Sequence, residues 1–416
     1  MRRLPALTAA TLTLTLAGCW PAPGHDPNRS SYNDLDTAID VTTVEDLELA
    51  WEQPLGWQNG QELFRERAGN PILSNAGLVT ISTPSSLAAF EPATGTRRWL
   101  RGSSSDPGRD QDTFAHGDAV FGGYGRTSVL WNDAGTGAPA SGNPYIGQAP
   151  ALRGDVVAST WRYPGLDTLD ANVELVVGSM ADPASRWNGT LWYGRGGGLP
   201  VRPGITLAED QVLYAGPGLR SSTPGDGTLV NALRSYPLTA VPEDCGPGYP
   251  ADYACPTWIS PPLDGTAATA PVLKPDGSAA YVGTDAGTLY SLATTVGSVN
   301  WSVAAGSAIT APPALAIGQL YVPTASGSLL AIDNSAGDRP WTSPPGDALT
   351  VQPAVAGGVV FTGDAGGTVA ARDADTGALL WSDEMGSPIT GAPIVTLDKL
   401  FVGTEDGRLV AYELGA

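Results

Sequence analysis

The sequence repeats every forty residues, and that period restricts the fold more than any other feature of the chain. Aromatic residues stand at Tyr281, Tyr321, Phe361 and Phe401, and glycines at Gly287, Gly327, Gly367 and Gly407. Leu289, Leu329, Val369 and Leu409 keep the same step, as do Trp301, Trp341 and Trp381. Columns in one register mark a repeat architecture, in which a small unit buries its faces only against neighbouring copies. Within one period, residues 280–284 are β-rich, Asp285-Ala286-Gly287 is a turn, and 288–292 return. Gly297 makes a second turn, 300–303 form a third strand, and 270–273 supply the strand before them. Four short strands joined by tight turns make an antiparallel meander, and a ring of such sheets is a β-propeller.

Residues 70–102, 270–305, 311–345 and 352–387 read as clear blades. Residues 392–414 supply three strands and stop before any tryptophan, whereas 47–52 carry Trp51 with no blade of their own. The amino-terminal strand is therefore expected to complete the last blade and close the ring, which removes an exposed sheet edge. Between 103 and 265 the register is looser. Residues 119–131 with Gly135 and Gly137, then 156–193, then 212–258 with a long insertion at about 215–262, suggest three more blades. The expected fold is all-β, an eight-bladed propeller of four-stranded antiparallel blades over 44–416. Seven blades is the alternative.

In four blades a small residue is followed six later by glycine and four after that by tryptophan: Ala89/Gly95/Trp99, Ser291/Gly297/Trp301, Ala331/Gly337/Trp341 and Ala371/Gly377/Trp381. Acids follow the small residue at Glu91, Asp333 and Asp373. This pattern resembles the tryptophan-docking repeat of the PQQ-like, quinoprotein-type propellers, a family that includes quinoprotein dehydrogenases and the outer-membrane assembly lipoprotein BamB. The resemblance implies that each indole packs between adjacent blades, against the small residue and the glycine turn. Trp51, Trp99, Trp301, Trp341 and Trp381, with Gly95, Gly297, Gly337 and Gly377, are then blade-docking residues, structural rather than catalytic. A buried aromatic side chain contributes roughly 150–250 Å² to such a contact.

The amino terminus reads as an address. Arg2 and Arg3 precede an apolar, threonine-rich stretch at 4–16, too short to span a bilayer, which ends in Leu16-Ala17-Gly18-Cys19. This resembles a bacterial lipoprotein signal, implying cleavage after residue 18, acylation of Cys19 and, with Trp20 following, retention at an outer membrane. The competing reading is an ordinary secretory signal. Acyl chains contribute about 0.8 kcal/mol per buried CH₂, so several anchor firmly. Residues 19–43, rich in Pro, Asp, Asn and Ser, read as a tether of roughly 25–30 Å coil span. Cys245 and Cys255 lie in the insertion, and in an exported protein a disulfide between them is the default, worth about 2–3 kcal/mol. Two free thiols is the alternative.

Asp and Glu (42) outnumber Lys and Arg (22), so the formal net charge is −20, and loss of the two leader arginines takes it to −22. Such a surface repels phosphate backbones, which excludes nucleic acid as an expected partner. With only His25 and His116, a His-rich metal centre is also excluded. The quinoprotein resemblance would bring PQQ and calcium, held in that family beside a vicinal cysteine disulfide and an aspartate base. No two cysteines are adjacent in this chain. Asp373-Ala374-Asp375-Thr376-Gly377 looks like a calcium loop but lacks the further ligands and falls on a repeat turn. No Gly-x-Ser-x-Gly or His-Glu-x-x-His occurs, and the glycine run at 194–198 lacks a phosphate loop's Lys-Ser/Thr. Trp187, Trp192 and Tyr193 could stack on a sugar or pack between blades. The expectation is a lipid-anchored, non-catalytic scaffold in the cell envelope, binding envelope proteins such as barrel-assembly machinery and needing no cofactor. A PQQ-dependent dehydrogenase and a surface glycan- or ligand-binding sensor are the alternatives.

Overall fold

The computed structural model describes residues 24–34, 37–55, 57–58, 61–62, 66–84, 86–102, 113–123, 129–139, 148–164, 170–182, 185–195, 204–219, 229–238, 254–396 and 398–415. Eight successive antiparallel sheets make a propeller. The first blade consists of Ile72–Leu73, Val79–Ser82, Ser86–Phe90 and Arg97–Gly102. The second holds Phe114–His116, Ala119–Gly123 and Val129–Asp133, so it shows three strands among the described residues. Gln148–Arg153, Val156–Pro164, Asp170–Ser179 and Arg186–Arg195 form the third; Gly204–Leu207, Gln211–Leu219, Leu229–Pro237 and Trp258–Ile259 form the fourth. The fifth to seventh begin at Val272–Leu273, Ala314–Ala316 and Ala354–Ala356 and end at Val299–Ala304, Trp341–Thr342 and Leu379–Glu384.

The eighth blade closes as the missing tryptophan strand implied. Ile389–Val395, Lys399–Thr404 and Arg408–Leu414 are followed in space by Leu47–Pro54, paired antiparallel with Leu414 opposite Leu47 and Arg408 opposite Pro54. Arg408 ties the seam electrostatically, its guanidinium 2.9 Å from Glu52 and 2.9 Å from Asp406. The burial pattern orients the blades. First strands such as Ala314–Ala316 and Ala354–Ala356 are wholly buried, whereas the fourth strands Val299–Ala304 and Leu379–Glu384 are largely exposed. First strands therefore line the axis and fourth strands face solvent.

Two sequence expectations need correction. The expected insertion at 215–262 is in part blade: Gln211–Leu219 and Leu229–Pro237 form one long hairpin of the fourth sheet, and Trp258–Ile259 its outer strand, while 220–228 and 239–253 lie outside the described residues. Its apparent irregularity comes from strand length, since a nine-residue hairpin arm displaces the turn signals from the forty-residue register. The second correction concerns 19–43. From residue 24 onward this segment is no free tether. Tyr32–Asn33 pairs in parallel with Val355 and Ala356 of the seventh blade, and Val44–Asp46 is a short 3-10 turn leading into the closing strand. Backbone hydrogen bonding to the blades outweighs the coil preference of a polar composition.

The repeated columns have distinct tasks. Tyr281, Tyr321, Phe361 and Phe401 are fully buried between sheets. The hydroxyl of Tyr281 donates to the carbonyl of Asn334 and that of Tyr321 to Ala374, each in the next blade. Gly327, at φ +77°, occupies a turn crossed by the strap that leads to the next blade. A Cβ there would lie 2.4 Å from the Gly346 carbonyl. Gly277, at φ +70°, faces open space. Replacing Gly277 by Ala should therefore cost only the left-handed strain, about 1–2 kcal/mol. Gly327→Ala should cost about 1–3 kcal/mol more, because the strap must move. Urea unfolding of the two variants checks the difference.

Candidate functional site

The interfaces between blades are built around indoles. Trp51 of the eighth blade lies over Gly95 of the first, where a Cβ would meet the ring at 2.6 Å. Its Nε1 donates to the Pro92 carbonyl at 2.9 Å, and it contacts Phe90 and Phe401 at centroid distances of 6.4 and 5.8 Å. Trp99 covers Gly137, Trp301 covers Gly337 and Trp341 covers Gly377. The Nε1 groups of Trp99 and Trp341 each donate at 3.0 Å, to Ala134 and Ala374 respectively. Trp381 donates to the Leu47 carbonyl at 3.0 Å and meets Tyr412 edge-on at 4.9 Å.

The small residue and the glycine of each sequence trio thus serve different indoles. Ala89, Ser291, Ala331 and Ala371 lie opposite the tryptophan of their own blade, at Trp99, Trp301, Trp341 and Trp381. The glycine accepts the tryptophan of the preceding blade: Gly297 is covered by Trp258. Trp258 and Gly137 are docking residues outside the small/Gly/Trp trios, and of the two roles read for Trp187, sugar stacking or packing between blades, the structure shows the second. Trp187 donates through Nε1 to Leu238 at 3.1 Å, so its indole is engaged with the fourth blade. Gly137 carries a readable signal, since Asp133-Ala134-Gly135-Thr136-Gly137 matches Asp373-Ala374-Asp375-Thr376-Gly377. In both, the aspartate Oδ1 accepts the threonine N–H and hydroxyl, at 2.8 and 2.7 Å for Asp133 and 2.7 and 2.8 Å for Asp373. The carboxylate of the calcium-like loop is therefore committed to its own turn. Trp341→Ala should lose about 3 kcal/mol of stability, and Trp341→Phe markedly less, as read by chemical denaturation.

The second site is the axis. The main chain of 24–33 passes along the inner strands of successive blades. Leu273 N–H donates to the Asn28 carbonyl at 2.9 Å, Leu315 N–H to Ser30 at 2.7 Å and Val355 N–H to Ser31 at 2.9 Å. Asn33 Nδ2 donates to the Val395 carbonyl at 2.9 Å. On the other side of the ring, the Arg29 guanidinium donates to Pro150, and Arg153 bridges Asn28 Oδ1 and the Leu207 carbonyl. Gln352 Nε2 holds both the Arg29 and Pro313 carbonyls at 3.0 Å. One segment so contacts blades three and five to eight directly, and the fourth through Arg153. Ser31 and Asn33 are 1% and 2% exposed, which shows how closely the wall encloses it.

Among the described residues, no three His, Cys, Asp or Glu side chains converge as a metal site would require. No helix there is long and apolar enough to cross a membrane. Cys255 is buried and disulfide-bonded. Cys19, Cys245 and the glycine run at 196–198 lie outside the described residues, as do the side chains of Trp192 and Tyr193.

Burial raises Tyr281, Tyr321 and Tyr412 well above the ordinary tyrosine range, with the Asp383 hydrogen bond adding to the effect at Tyr412. An unfolded tyrosine ionises near pH 10. Above that pH the folded chain holds more protons than the unfolded one, so stability is full below about pH 10 and falls as pH rises. Replacing all three tyrosines by Phe should flatten this decline, as urea midpoints measured between pH 8 and pH 11 would reveal.

Residues 257–352 and 341–415 match the family described as Outer membrane protein assembly factor BamB. Residues 20–124 match the one described as Glucose/ethanol/alcohol dehydrogenase, beta-propeller domain. No curated protein matches the chain in sequence. Among solved structures it is similar to a europium-containing methanol dehydrogenase, at 15% identity and a TM-score of 0.70, over 96% of this chain and 99% of the other. A quinohemoprotein alcohol dehydrogenase from Comamonas testosteroni gives 16% and 0.68, over 96% and 81%. BamB from Moraxella catarrhalis gives 13% and 0.57, over 88% and 99%. Tryptophan spacing, family matches and solved folds converge on one description: an eight-bladed PQQ-like propeller, similar both to BamB and to quinoprotein dehydrogenases.

Proposed function

We propose that the chain is a lipid-anchored, non-catalytic scaffold of the cell envelope that presents rigid turns to protein partners, with barrel-assembly components as the partner class. The observation that carries this reading is the filled axis. Main-chain carbonyls of Asn28, Ser30 and Ser31 and the Asn33 side-chain amide take up inner-strand groups of blades five to eight that would otherwise face a bound small molecule. Recognition then falls to the turns at the two ends of the ring. Docked indoles hold those turns in place, so a partner binds them with little loss of ordering entropy. The match to BamB, described as an outer membrane protein assembly factor, supports the partner class.

Acylation at Cys19 and a Cys245–Cys255 disulfide belong to the same proposal, the latter supported by the disulfide-bonded state of Cys255. Metabolic labelling with a clickable fatty acid should mark the wild-type protein, and Cys19→Ala should abolish both label and membrane retention. Affinity purification of the lipidated protein should recover barrel-assembly components, and their absence would refute that partner class. The extent of overlap with the methanol dehydrogenase favours a second reading, a PQQ-dependent dehydrogenase. Dye reduction with alcohols or aldoses after addition of PQQ and calcium would establish it in place of the scaffold.

A further inference from the structure

We propose that the inner wall of this propeller is a binding site for a turned polypeptide segment, and that residues 24–33 are its resident ligand, a displaceable plug. The wall is periodic. Leu273, Leu315, Val355 and Val395 lie opposite Ala280, Leu320, Val360 and Leu400, which stand forty residues apart. Each blade therefore turns an equivalent main-chain edge toward the axis, and a first strand has no further strand of its own blade to pair with. The segment answers with carbonyls at Asn28, Ser30 and Ser31 and the side chain of Asn33, one contact for each of blades five to eight. Tyr32–Asn33 completes the match by true strand addition to the seventh blade. This is main-chain recognition, as in other cases where a peptide joins a sheet edge. Its natural ligand class is a compact turn with small polar side chains and one guanidinium, leading into a short strand, because Arg29 reaches the third blade while Ser30, Ser31 and Asn33 fit where the wall is closest.

The plug is held in a conformation it would not choose. His25, Arg29 and Ser31 adopt φ of +70°, +59° and +55°, three of the four non-glycine residues with positive φ among those described. Side chains other than glycine avoid this region, and such residues persist where their surroundings over-determine them. The wall supplies that determination, so a single substitution can shift the balance. Residues 37–46 join the plug to the closing strand, which makes its binding intramolecular and protects it from dilute competitors.

The test uses the full chain and reads hydrogen exchange at the amides of Leu273, Leu315 and Val355, which the plug covers. Ser31→Gly keeps the required φ without strain and should slow their exchange several-fold. Ser31→Val, β-branched and averse to positive φ, should speed it about tenfold relative to wild type. A fluorescent peptide of the sequence 24–34 should bind the Val variant and be excluded from the Gly variant. Exchange unchanged by both substitutions, or a peptide that binds neither variant, would overturn the proposal. If the Val variant does not fold, the Gly variant decides alone: exchange no slower than wild type refutes the plug. None of these readouts depends on lipidation or on an envelope partner.

Discussion

The ring depends on fitting a flat indole against a turn that has no side chain, as Trp51, Trp99, Trp258, Trp301 and Trp341 do over Gly95, Gly137, Gly297, Gly337 and Gly377. The outer strand of one blade carries the tryptophan, and the next blade bends through a left-handed glycine directly beneath it. A Cβ at Gly95, Gly297 or Gly377 would stand 2.5–2.6 Å from the ring, so the contact permits no other residue without displacing a sheet. Indole and turn are also joined by a polar bond, since the ring nitrogen meets a carbonyl of the neighbouring blade at Trp51, Trp99 and Trp341. Sheets that would slide over one another if held only by apolar contact are thereby fixed in rotation. The fully buried aromatic column at 281, 321, 361 and 401 then packs behind a joint already aligned.

How much of this could be read from the residues varied along the chain for physical reasons. In blades five to eight the two middle strands stay at five to seven residues, so Trp301, Trp341 and Trp381 stayed in step and the ring closure by Trp51 followed. In blades three and four the hairpin arms reach ten and nine residues, and Trp187 and Trp258 fell out of register although Trp187 bonds the fourth blade and Trp258 covers Gly297 of the fifth. Gly137 could have been found through its Asp-x-x-Thr-Gly turn. The axial segment left no such trace. It binds through main-chain carbonyls and small polar side chains, which create no hydrophobic period, and its Pro, Asp, Asn and Ser content is that of a linker. Backbone recognition is nearly silent in composition.

The family resemblance and the filled axis bear differently on function. Resemblance brings assembly factors and dehydrogenases together on one architecture, because a propeller supports many roles and a site decides among them. Among the described residues, the segment 24–33 occupies inner-strand groups of blades three and five to eight. The carboxylates of the repeat turns, Asp133, Asp333 and Asp373, accept hydrogen bonds from their own loops.

The path of the amino-terminal segment also has a mechanical consequence. The strand that closes the ring, Leu47–Pro54, lies at the solvent-facing edge and would peel one residue at a time under a pull on the chain before it. Between that strand and any such pull lie the contacts of 28–33 with blades on both sides of the axis. Tension arriving from the amino terminus is delivered first to the hub, where several bonds are sheared together, and the seam is spared. A propeller built this way can be tethered by the very end that locks it, without the tether becoming a ripcord.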